Sequence, residues 1–420
     1  MLKQRPTQDF RTGRARKIGW IAAVALLTVV PIALAGGGRI EISQKSVLSP
    51  PYSITQSGSY ILTSPLVVTQ SGVNAIWVQT SDVDIDLNGF TITGPGLGTT
   101  VSAIFQNAGY SNLRVHGGNV TGWGGPNSYG LNAAGSRNVI EDIVAFQNGR
   151  GIFTGASAFV ERCVAYSNTT SAIGYGIAAG AGSRIHGCIV QRTHSTGGEV
   201  YGITAGDGSE IISCVAVVQT SASLTNDVYG IYVGRGGRIV RCVSRDITSF
   251  GAAYGICADD EGAVLECVSS SHTASDGAIG IYCRNRARVD SSVAYANDYG
   301  VKLLDDAVAR GCFASEQDND GFRFGSRCRL SDNFAYSNEV YGFWAEGRQS
   351  EVTDCDASAN WIGFGSSASL SNLLVRNAGI ANHATNFLIA TGNAYGPVLD
   401  NPGRNFATEE AWQNFSIHHP

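Results

Sequence analysis

Apolar residues recur along this chain at long intervals and without the 3.6-residue period of an amphipathic helix. A short β-type segment, opening with Ala or Gly before an apolar residue, returns at intervals of 20 to 28 residues. Irregular coils of this length, each with several short strands, predict an all-β right-handed parallel β-helix of about 13 coils with N- and C-terminal caps. The anchor residues are Ala75, Ala103, Gly130, Gly151, Gly176, Gly202, Gly230, Gly255, Gly280, Gly300, Gly321, Gly342 and Gly363.

Positions within each coil also repeat. Nine residues after the anchor stands an apolar residue, Val139 in the Gly130 coil and Val160 in the next. Twelve residues after it stands a cysteine in most coils, with Asp142 at that place in the Gly130 coil. Identical positions in successive coils of a parallel stack lie about 4.8 Å apart, so these residues should form continuous columns.

The pattern divides the chain into four segments. Residues 1–35 combine a basic front with an apolar run over 18–35, which predicts a cleaved signal peptide or an uncleaved signal anchor. Residues 36–72 are expected to be the N-terminal cap and entry strands, 73–380 the parallel β-helix, and 381–420 the C-terminal cap and tail. The mature chain is therefore expected to be exported, to an extracellular, cell-surface or periplasmic location.

Composition narrows the partners. A net charge of −5 gives no basis for nucleic-acid binding. A membrane would be contacted only through the N-terminal segment, if that segment is not removed. We expect a monomer whose partner is a polysaccharide or cell-surface glycan.

Seven of the ten cysteines fall in one column rather than in a disulfide pattern. Parallel side chains one strand apart hold their β-carbons near 4.8 Å, beyond the roughly 3.8 Å that a disulfide prefers. A stack of buried thiols is favoured, with disulfides between neighbouring coils as the alternative. The spacing does not favour zinc, because no Cys-x-x-Cys pair occurs. Cys257, two residues after its anchor, is predicted to face outward and to be the most reactive thiol.

Five consecutive coils, starting at Gly151, Gly176, Gly202, Gly230 and Gly255, are longer than those that follow. Their extra residues all come after the cysteine strand, so they should stack into a wall beside a flat sheet and form a shallow groove. We predict that a glycan would bind along this wall; the alternative is drift in loop length, since surface insertions cost little. The candidate glycan-binding residues are Thr193, His194, Thr225, Asp227, Asp246, His272 and Asp276.

Two other residue sets could carry chemistry. Tyrosine precedes the anchor in seven coils, as in Tyr229, and the resulting column could stabilise the stack or offer sugars an aromatic surface. Asp259, Asp260 and Glu261 form a carboxylate run that is interpreted mainly as a solvated turn and more weakly as a calcium site or an acid/base pair. No cofactor is expected apart from this possible calcium, and no catalytic residue is identified.

The repeats resemble those of the pectin-lyase-like superfamily, and more narrowly those of exported bacterial β-helix repeat proteins of mostly unassigned activity. The narrower likeness rests on an entry motif at residues 85–92 (IDLNGFTI) and on endings at 386–389 (NFLI), 392–397 (GNAYGP) and 412–415 (WQNF). The resemblance implies the fold over residues 50–416. The Gly-His-Gly, Asn-Thr-Asp and Arg-Ile-Lys segments of polygalacturonase-like hydrolases are missing, as is a recognisable pectate-lyase site.

Two functional hypotheses remain. The first is a non-catalytic exported scaffold that binds or accompanies a surface or extracellular polysaccharide. The second is a polysaccharide lyase, glycoside hydrolase or epimerase with an unrecognised site on the stacked-loop face. The missing catalytic motifs favour the first.

Overall fold

Each coil of the chain follows one route, which the coil beginning at Val228–Val233 illustrates. That strand is followed by a turn, by the strand Arg238–Val240, and by a sharp bend at Arg241, whose φ is 51°. After the strand Val243–Arg245, a second bend at Asp246, with φ of 57°, precedes the next coil. The computed structural model describes residues 38–47, 49–97, 101–367, 371–400 and 413–417. The predicted signal segment, residues 1–35, lies outside these ranges.

The strands stack in parallel into three sheets, so the predicted right-handed parallel β-helix is confirmed. No α-helix occurs in the described residues, only the 3-10 turn Gln44–Val47, and none of their helices has the length and hydropathy needed to cross a membrane. The front sheet has 15 strands: Tyr52–Ile54, Ile76–Val78, Ile104–Gln106, Tyr129–Ala133, Arg150–Thr154, Gly174–Ala179, Val200–Ala205, Val228–Val233, Ala253–Ala258, Ala278–Cys283, Tyr299–Leu303, Phe322–Phe324, Tyr341–Ala345, Ile362–Ser366 and Thr385–Ile389.

The back sheet has 30 strands in two columns that meet at the first bend. The near column contains Ile40–Ile42, Gly58–Leu62, Val83–Asp86, Leu113–Gly124, Val139–Phe146, Phe159–Glu161, Arg184–His186, Glu210–Ile212, Arg238–Val240, Ala263–Leu265, Arg288–Asp290, Val308–Arg310, Arg329–Ser331, Glu351–Thr353, Leu373–Val375 and Ala394–Tyr395. Leu113–Gly124 and Val139–Phe146 continue into the far column, which also contains Leu66–Val67, Thr91–Leu97, Val164–Tyr166, Ile189–Gln191, Val215–Val217, Val243–Arg245, Val268–Ser270, Val293–Tyr295, Phe313–Ser315, Phe334–Tyr336, Asp356–Ser358, Ala378–Ile380, Val398–Asp400 and Asn414–Ile417.

The third sheet, which we name the wall sheet, has five short strands. They are Thr169–Thr170, His194–Ser195, Thr220–Ser221, Thr248–Ser249 and Thr273–Ala274. All five belong to the long coils. The front-sheet strands Tyr52–Ile54 and Thr385–Ile389 lie before and after the thirteen anchors, so parallel stacking extends into both predicted caps.

Close approach between coils explains the anchor glycine. A β-carbon on Gly230 would lie 2.0 Å from Ser244 Oγ and 2.6 Å from the carbonyl oxygen of Gly255. The Gly255 carbonyl belongs to the backbone and cannot move away without disturbing the stack, so a side chain at the anchor collides with the interior even if Ser244 rotates. Ala75 and Ala103 occupy the same column, fully buried, near the N-terminal end of the array.

The cysteine column is buried and unbridged, as favoured, and it also forms hydrogen bonds. All ten cysteines are free thiols in the interior. The backbone N–H of Cys188 donates to the sulfur of Cys214, at 3.4 Å, and the N–H of Cys214 donates to Cys242 at 3.3 Å. Later coils replace the thiol with Ser292 or Asn333, which accept the same kind of N–H bond.

Two sequence expectations about the columns are wrong. The Gly130 coil has one extra residue, so Ile140 and Ile143, rather than Val139 and Asp142, point into the core. Cys257 is not exposed but fully buried. It pairs in register with Tyr232 and Tyr282, whose larger rings flank it, and burial raises the pKa of its thiol to about 12.

Candidate functional site

The extra residues of the long coils lie where the sequence places them, after the cysteine strand. Each long coil bends at a residue with positive φ, passes one buried position, forms a wall strand and then loops back to the front sheet. The wall is therefore an ordered parallel sheet rather than a set of independent loops. Its loops connect the wall strands to the next front-sheet strands, and Ile173, Leu224 and Phe250 in these loops are exposed.

The buried position before each wall strand forms a polar ladder that runs along the corner of the solenoid. Except for Ile247 and Thr193, its side chains accept backbone N–H groups from the preceding coil: Gln219 accepts the N–H of Thr193 at 3.0 Å, and Asn297 that of His272 at 3.2 Å. The ladder contains Asn148, Asn168, Thr193, Gln219, Ile247, His272, Asn297, Gln317, Asn338, Asn360 and Asn382.

Thr193 and His272 belong to this ladder and not to the surface. Thr193 is fully buried and His272 is 3% exposed, so neither can contact a glycan. The Nδ1 of His272 accepts the N–H of Ile247 at 3.2 Å, and its Nε2 lies 2.9 Å from Ser269 Oγ. Burial lowers the pKa of His272 to about 3, which keeps the imidazole neutral.

The other five candidates lie on or near the wall, although they do not form one cluster. His194 is a half-buried wall-strand residue whose Nδ1 is 2.8 Å from Thr220 Oγ1. Thr225 and Asp276 are exposed in the loops that lead back to the front sheet. Asp227 ends its loop and accepts the N–H of Ala252 at 3.0 Å. Asp246 is exposed at the bend that precedes Ile247 of the ladder, so it lies before the wall strand and not on it.

A tyrosine column runs along the outer face of the front sheet beside the wall. The rings of Tyr175, Tyr201, Tyr229 and Tyr254 stack in succession with centroids 5.7, 4.8 and 4.8 Å apart. The hydroxyl of Tyr201 donates to Glu199 in a wall loop at 2.8 Å. These contacts bear out the structural stacking role and link the column to the wall.

The carboxylate run lies at the opposite edge of the front sheet, and each member is engaged. Asp259 accepts a hydrogen bond from Tyr232 at 2.9 Å. Asp260 accepts the backbone N–H of Asn285 at 3.1 Å, and Glu261 pairs with Arg235 at 2.8 Å. Within the described ranges, no group of three or more His, Cys, Asp or Glu side chains is arranged to hold a metal ion.

A second cluster, which is not among the candidate site residues chosen from the sequence, lies on the same outer face beyond the wall. Asp320 occupies the register position next to Tyr299 and Tyr341, so it replaces a tyrosine of the column. Its side chain is 2% exposed, lies 3.6 Å from Arg323, and burial raises its pKa to about 6. A break in the tyrosine column, visible in the sequence, is the feature that could have revealed it.

The rest of this cluster consists of two basic side chains, Lys302 and Arg323, and the carboxylate of Glu346. Arg323 makes two hydrogen bonds to Glu346, at 2.9 and 3.0 Å, and a third contact to the Tyr299 hydroxyl at 3.4 Å. Lys302 pairs in register with Arg323, and burial together with that guanidinium lowers its pKa. In the part of the chain that the structure describes, the Lys302 ammonium has no carboxylate partner.

A comparison with protein families supports the architecture. A family model described as a right handed beta helix region matches residues 229–395. A search of curated proteins found no match.

Three solved structures align over most of the chain at low similarity. A periplasmic alginate epimerase has 13% identity, coverage of 84% of this chain and 83% of its own, and a TM-score of 0.39. A pectate lyase has 11% identity, coverage of 78% and 81%, and a TM-score of 0.31. The A-module of a mannuronan C-5 epimerase from Azotobacter vinelandii has 13% identity, coverage of 86% and 90%, and a TM-score of 0.30. Scores this low carry no conclusion about the activity of this chain. Its repeats, its stacked parallel sheets and the match over residues 229–395 together show that the chain has the right-handed parallel β-helix fold.

Proposed function

We propose that this protein is an exported, non-catalytic β-helix that binds a surface or extracellular polysaccharide along the outer face of its front sheet, beside the wall. The observation that carries the proposal is the match between a repetitive surface and a repetitive ligand. The column repeats tyrosine in four successive coils and the wall strands begin with threonine in four of five coils, at a spacing of about 4.8 Å. A polymer lying along this axis would meet several weak sites at once, and linked weak contacts give useful affinity.

The chemistry of the groove also suits sugars. Tyr232 and Tyr282 add rings beside the tyrosine column, at 5.6 Å from Tyr229 and 5.2 Å from Tyr254. Threonine hydroxyls on the wall strands and the exposed Thr225 and Asp276 provide hydrogen-bonding groups at the rim. Aromatic rings with a polar rim combine an apolar contact surface with orienting hydrogen bonds. Export is part of this proposal, on the basis of the basic and apolar residues 1–35. A monomeric state is a further part of the proposal.

The longest wall loop offers a direct test. Residues 222–227 connect Ser221 to the next front-sheet strand, whereas the following coil makes the same connection with only residues 250–252. Replacing the six-residue loop with that three-residue sequence removes Thr225 and Asp227 but keeps the coil closed. We expect retention in affinity gels containing alginate, polygalacturonate or dextran to fall sharply. The chain should stay folded, with a melting temperature lowered only by the loss of loop hydrogen bonds such as that from the Ala252 N–H to Asp227.

The matched control for this test is Tyr295→Ala, which removes an exposed ring from the far column of the back sheet. It should leave retention unchanged. If the shortened-loop variant is retained as strongly as the wild type in every gel, the groove does not bind these polymers and the proposal fails.

The cluster around Asp320 favours a second candidate function, a polysaccharide lyase, hydrolase or epimerase. Asp320 lies on the outer face but is only 2% exposed, so a substrate would have to displace the side chains that cover it. Its carboxyl group, whose pKa burial raises to about 6, could then exchange protons near neutral pH. Lys302 and Arg323 would stabilise negative charge that develops on a substrate.

Turnover decides between the two candidates. The mature chain would be incubated with alginate, polygalacturonate and dextran, and new reducing ends, unsaturated ends and altered uronate composition would be measured. If activity exists, Asp320→Asn should abolish it. Asp318→Asn is the control, because Asp318 is an exposed carboxylate two residues earlier. Absence of turnover on the three polymers leaves the binding function as the better description.

A further inference from the structure

A surface cavity of about 300 Å³ lies on the outer face of the back sheet, away from the front-sheet groove. It is formed by the near-column strands Val139–Phe146, Phe159–Glu161 and Arg184–His186. In these strands the central residue points into the core and the two flanking residues point out, so two parallel rows of side chains enclose the cavity. Its volume is at the lower end of the roughly 300–1,000 Å³ typical of small-ligand sites.

One row is apolar where its neighbours are charged. Along this row Arg114, Val139, Phe159, Arg184 and Glu210 follow one another in register. Phe159 is 55% exposed, although a phenylalanine at this position gains nothing from facing water. The two apolar residues therefore form a small apolar surface between charged ones.

The facing row is polar, and its carboxylates are fixed in place. Glu141 accepts two hydrogen bonds from Arg114, at 2.7 and 3.0 Å. Glu161 accepts one from His186 Nδ1 at 3.1 Å and pairs with Arg162 at 2.8 Å. Because Nδ1 of His186 faces Glu161, its Nε2 is left to face the surroundings.

Arg184 completes the cavity as an uncommitted donor. It lies beside Phe159 in register, and among the described residues its guanidinium has neither an ion-pair nor a hydrogen-bond partner. A planar group with five N–H donors that is held beside an aromatic ring can bind the oxygens of a ligand lying on that ring.

We propose that this cavity, which we name the side site, binds one pyranose ring of a polysaccharide. A pyranose has an apolar C–H face and an edge of hydroxyl groups, which match the apolar row and the polar row that face each other. The ring would lie on Phe159, its hydroxyl groups would donate to Glu141 and Glu161, and Arg184 would donate to its oxygens. The choice of a sugar as ligand rests on the proposed function, but the site is separate from the groove.

Binding stoichiometry tests the side site independently of the groove. Six-unit oligosaccharides of alginate, polygalacturonate and dextran would be titrated calorimetrically into the wild type, Phe159→Ala, Arg184→Ala and the shortened-loop variant. We expect two bound oligosaccharides per wild-type chain. The shortened-loop variant should bind one, at the side site. Phe159→Ala and Arg184→Ala should each bind one at the groove and either none at the side site or one with about tenfold weaker affinity. Tyr336→Ala, which removes another exposed back-sheet ring, is the control and should keep both.

The possible outcomes separate the two proposals. A single site that the loop replacement abolishes and Phe159→Ala leaves intact would overturn the side site and keep the groove. A single site that Phe159→Ala and Arg184→Ala abolish, and the loop replacement leaves intact, would support the side site and overturn the groove. No binding to any of the three oligosaccharides overturns both.

Discussion

The cysteine column allows one structural claim to be tested in detail, namely that its thiols serve as hydrogen-bond acceptors and not only as small apolar fillers. Cys214 is fully buried, accepts the N–H of Cys188 at 3.4 Å and donates its own S–H to the carbonyl oxygen of Ile212 at 3.2 Å. Serine at this position keeps the acceptor and the donor but loses apolar volume. Valine keeps most of the volume and loses both.

The structure sets the expected order of the two variants. Cys214→Val leaves the buried Cys188 N–H unpaired, which costs about 1–3 kcal/mol, and the lower half of that range applies because sulfur is a weak acceptor. Cys214→Ser should cost less than about 1 kcal/mol, because Ser292 already occupies the same column and accepts the N–H of Cys267 at 3.1 Å. Cys214→Ala combines the lost bond with a cavity and should cost about 2–4 kcal/mol.

Native-state hydrogen exchange is the appropriate measurement, because a solenoid can open coil by coil and need not unfold in one step. The Cys188 amide should exchange about tenfold faster or more in the Val and Ala variants, while in the Ser variant it should stay close to wild type. If Val preserves protection at Cys188 and Ser loses it, volume rather than hydrogen bonding governs the column, and the reasoning is refuted.

Three further predictions follow from buried groups. Burial lowers the pKa of His272 from 6.5 to about 3, so the imidazole takes up a proton when the chain unfolds in acid. As the pH is lowered from 6.5 to about 3, the free energy of unfolding should therefore fall by up to about 1.4 kcal/mol per pH unit. Denaturant midpoints at several pH values should show that His272→Asn removes this slope, and an unchanged slope would contradict the assignment. Gly230→Ala should lower the free energy of unfolding in urea by about 2–3 kcal/mol through its clash with Ser244, and Ala103→Gly, in the same column, by less than about 1; equal effects would contradict the steric account. Iodoacetamide at about pH 8 should leave Cys257 unlabelled until the chain unfolds, and rapid labelling of the native protein would show that the thiol is accessible.

The fold was predictable because the same pattern of anchor, apolar and cysteine positions occurs in many coils. An error in one coil is corrected by its neighbours, so the solenoid, the glycine anchors and the place of the extra residues are all confirmed. The one-residue error at Ile140 and Ile143 arose because the interval from the anchor to the near-column strand is one residue longer in the Gly130 coil than in the next. Column counting across a single irregular coil has no such redundancy.

The surface was less predictable, because outward direction and exposure are different properties. Cys257 does point away from the core, but neighbouring rings cover it, and their size had to be considered together with its position. Thr193 and His272 were assigned to the wall because they lie in the extra segments by count. The bends with positive φ at Arg192 and Ser271 turn the next side chain inward, and no spacing rule used on the sequence marks those bends.

Changes of residue type within a column are the most informative feature that remains in such a chain, provided that the column's physical role is considered. His272 replaces asparagine or glutamine in the polar ladder, yet it still accepts an N–H from the preceding coil, so the change is structural. Asp320 replaces a tyrosine and cannot stack, and Phe159 replaces charged residues and is exposed to water. Asp320 nevertheless gains an ion pair with Arg323 and accepts the N–H of Tyr341 in the next coil, so its change has a structural reason. Among the described residues, Phe159 makes no ring contact, and we infer that a ligand provides the reason for its exposure.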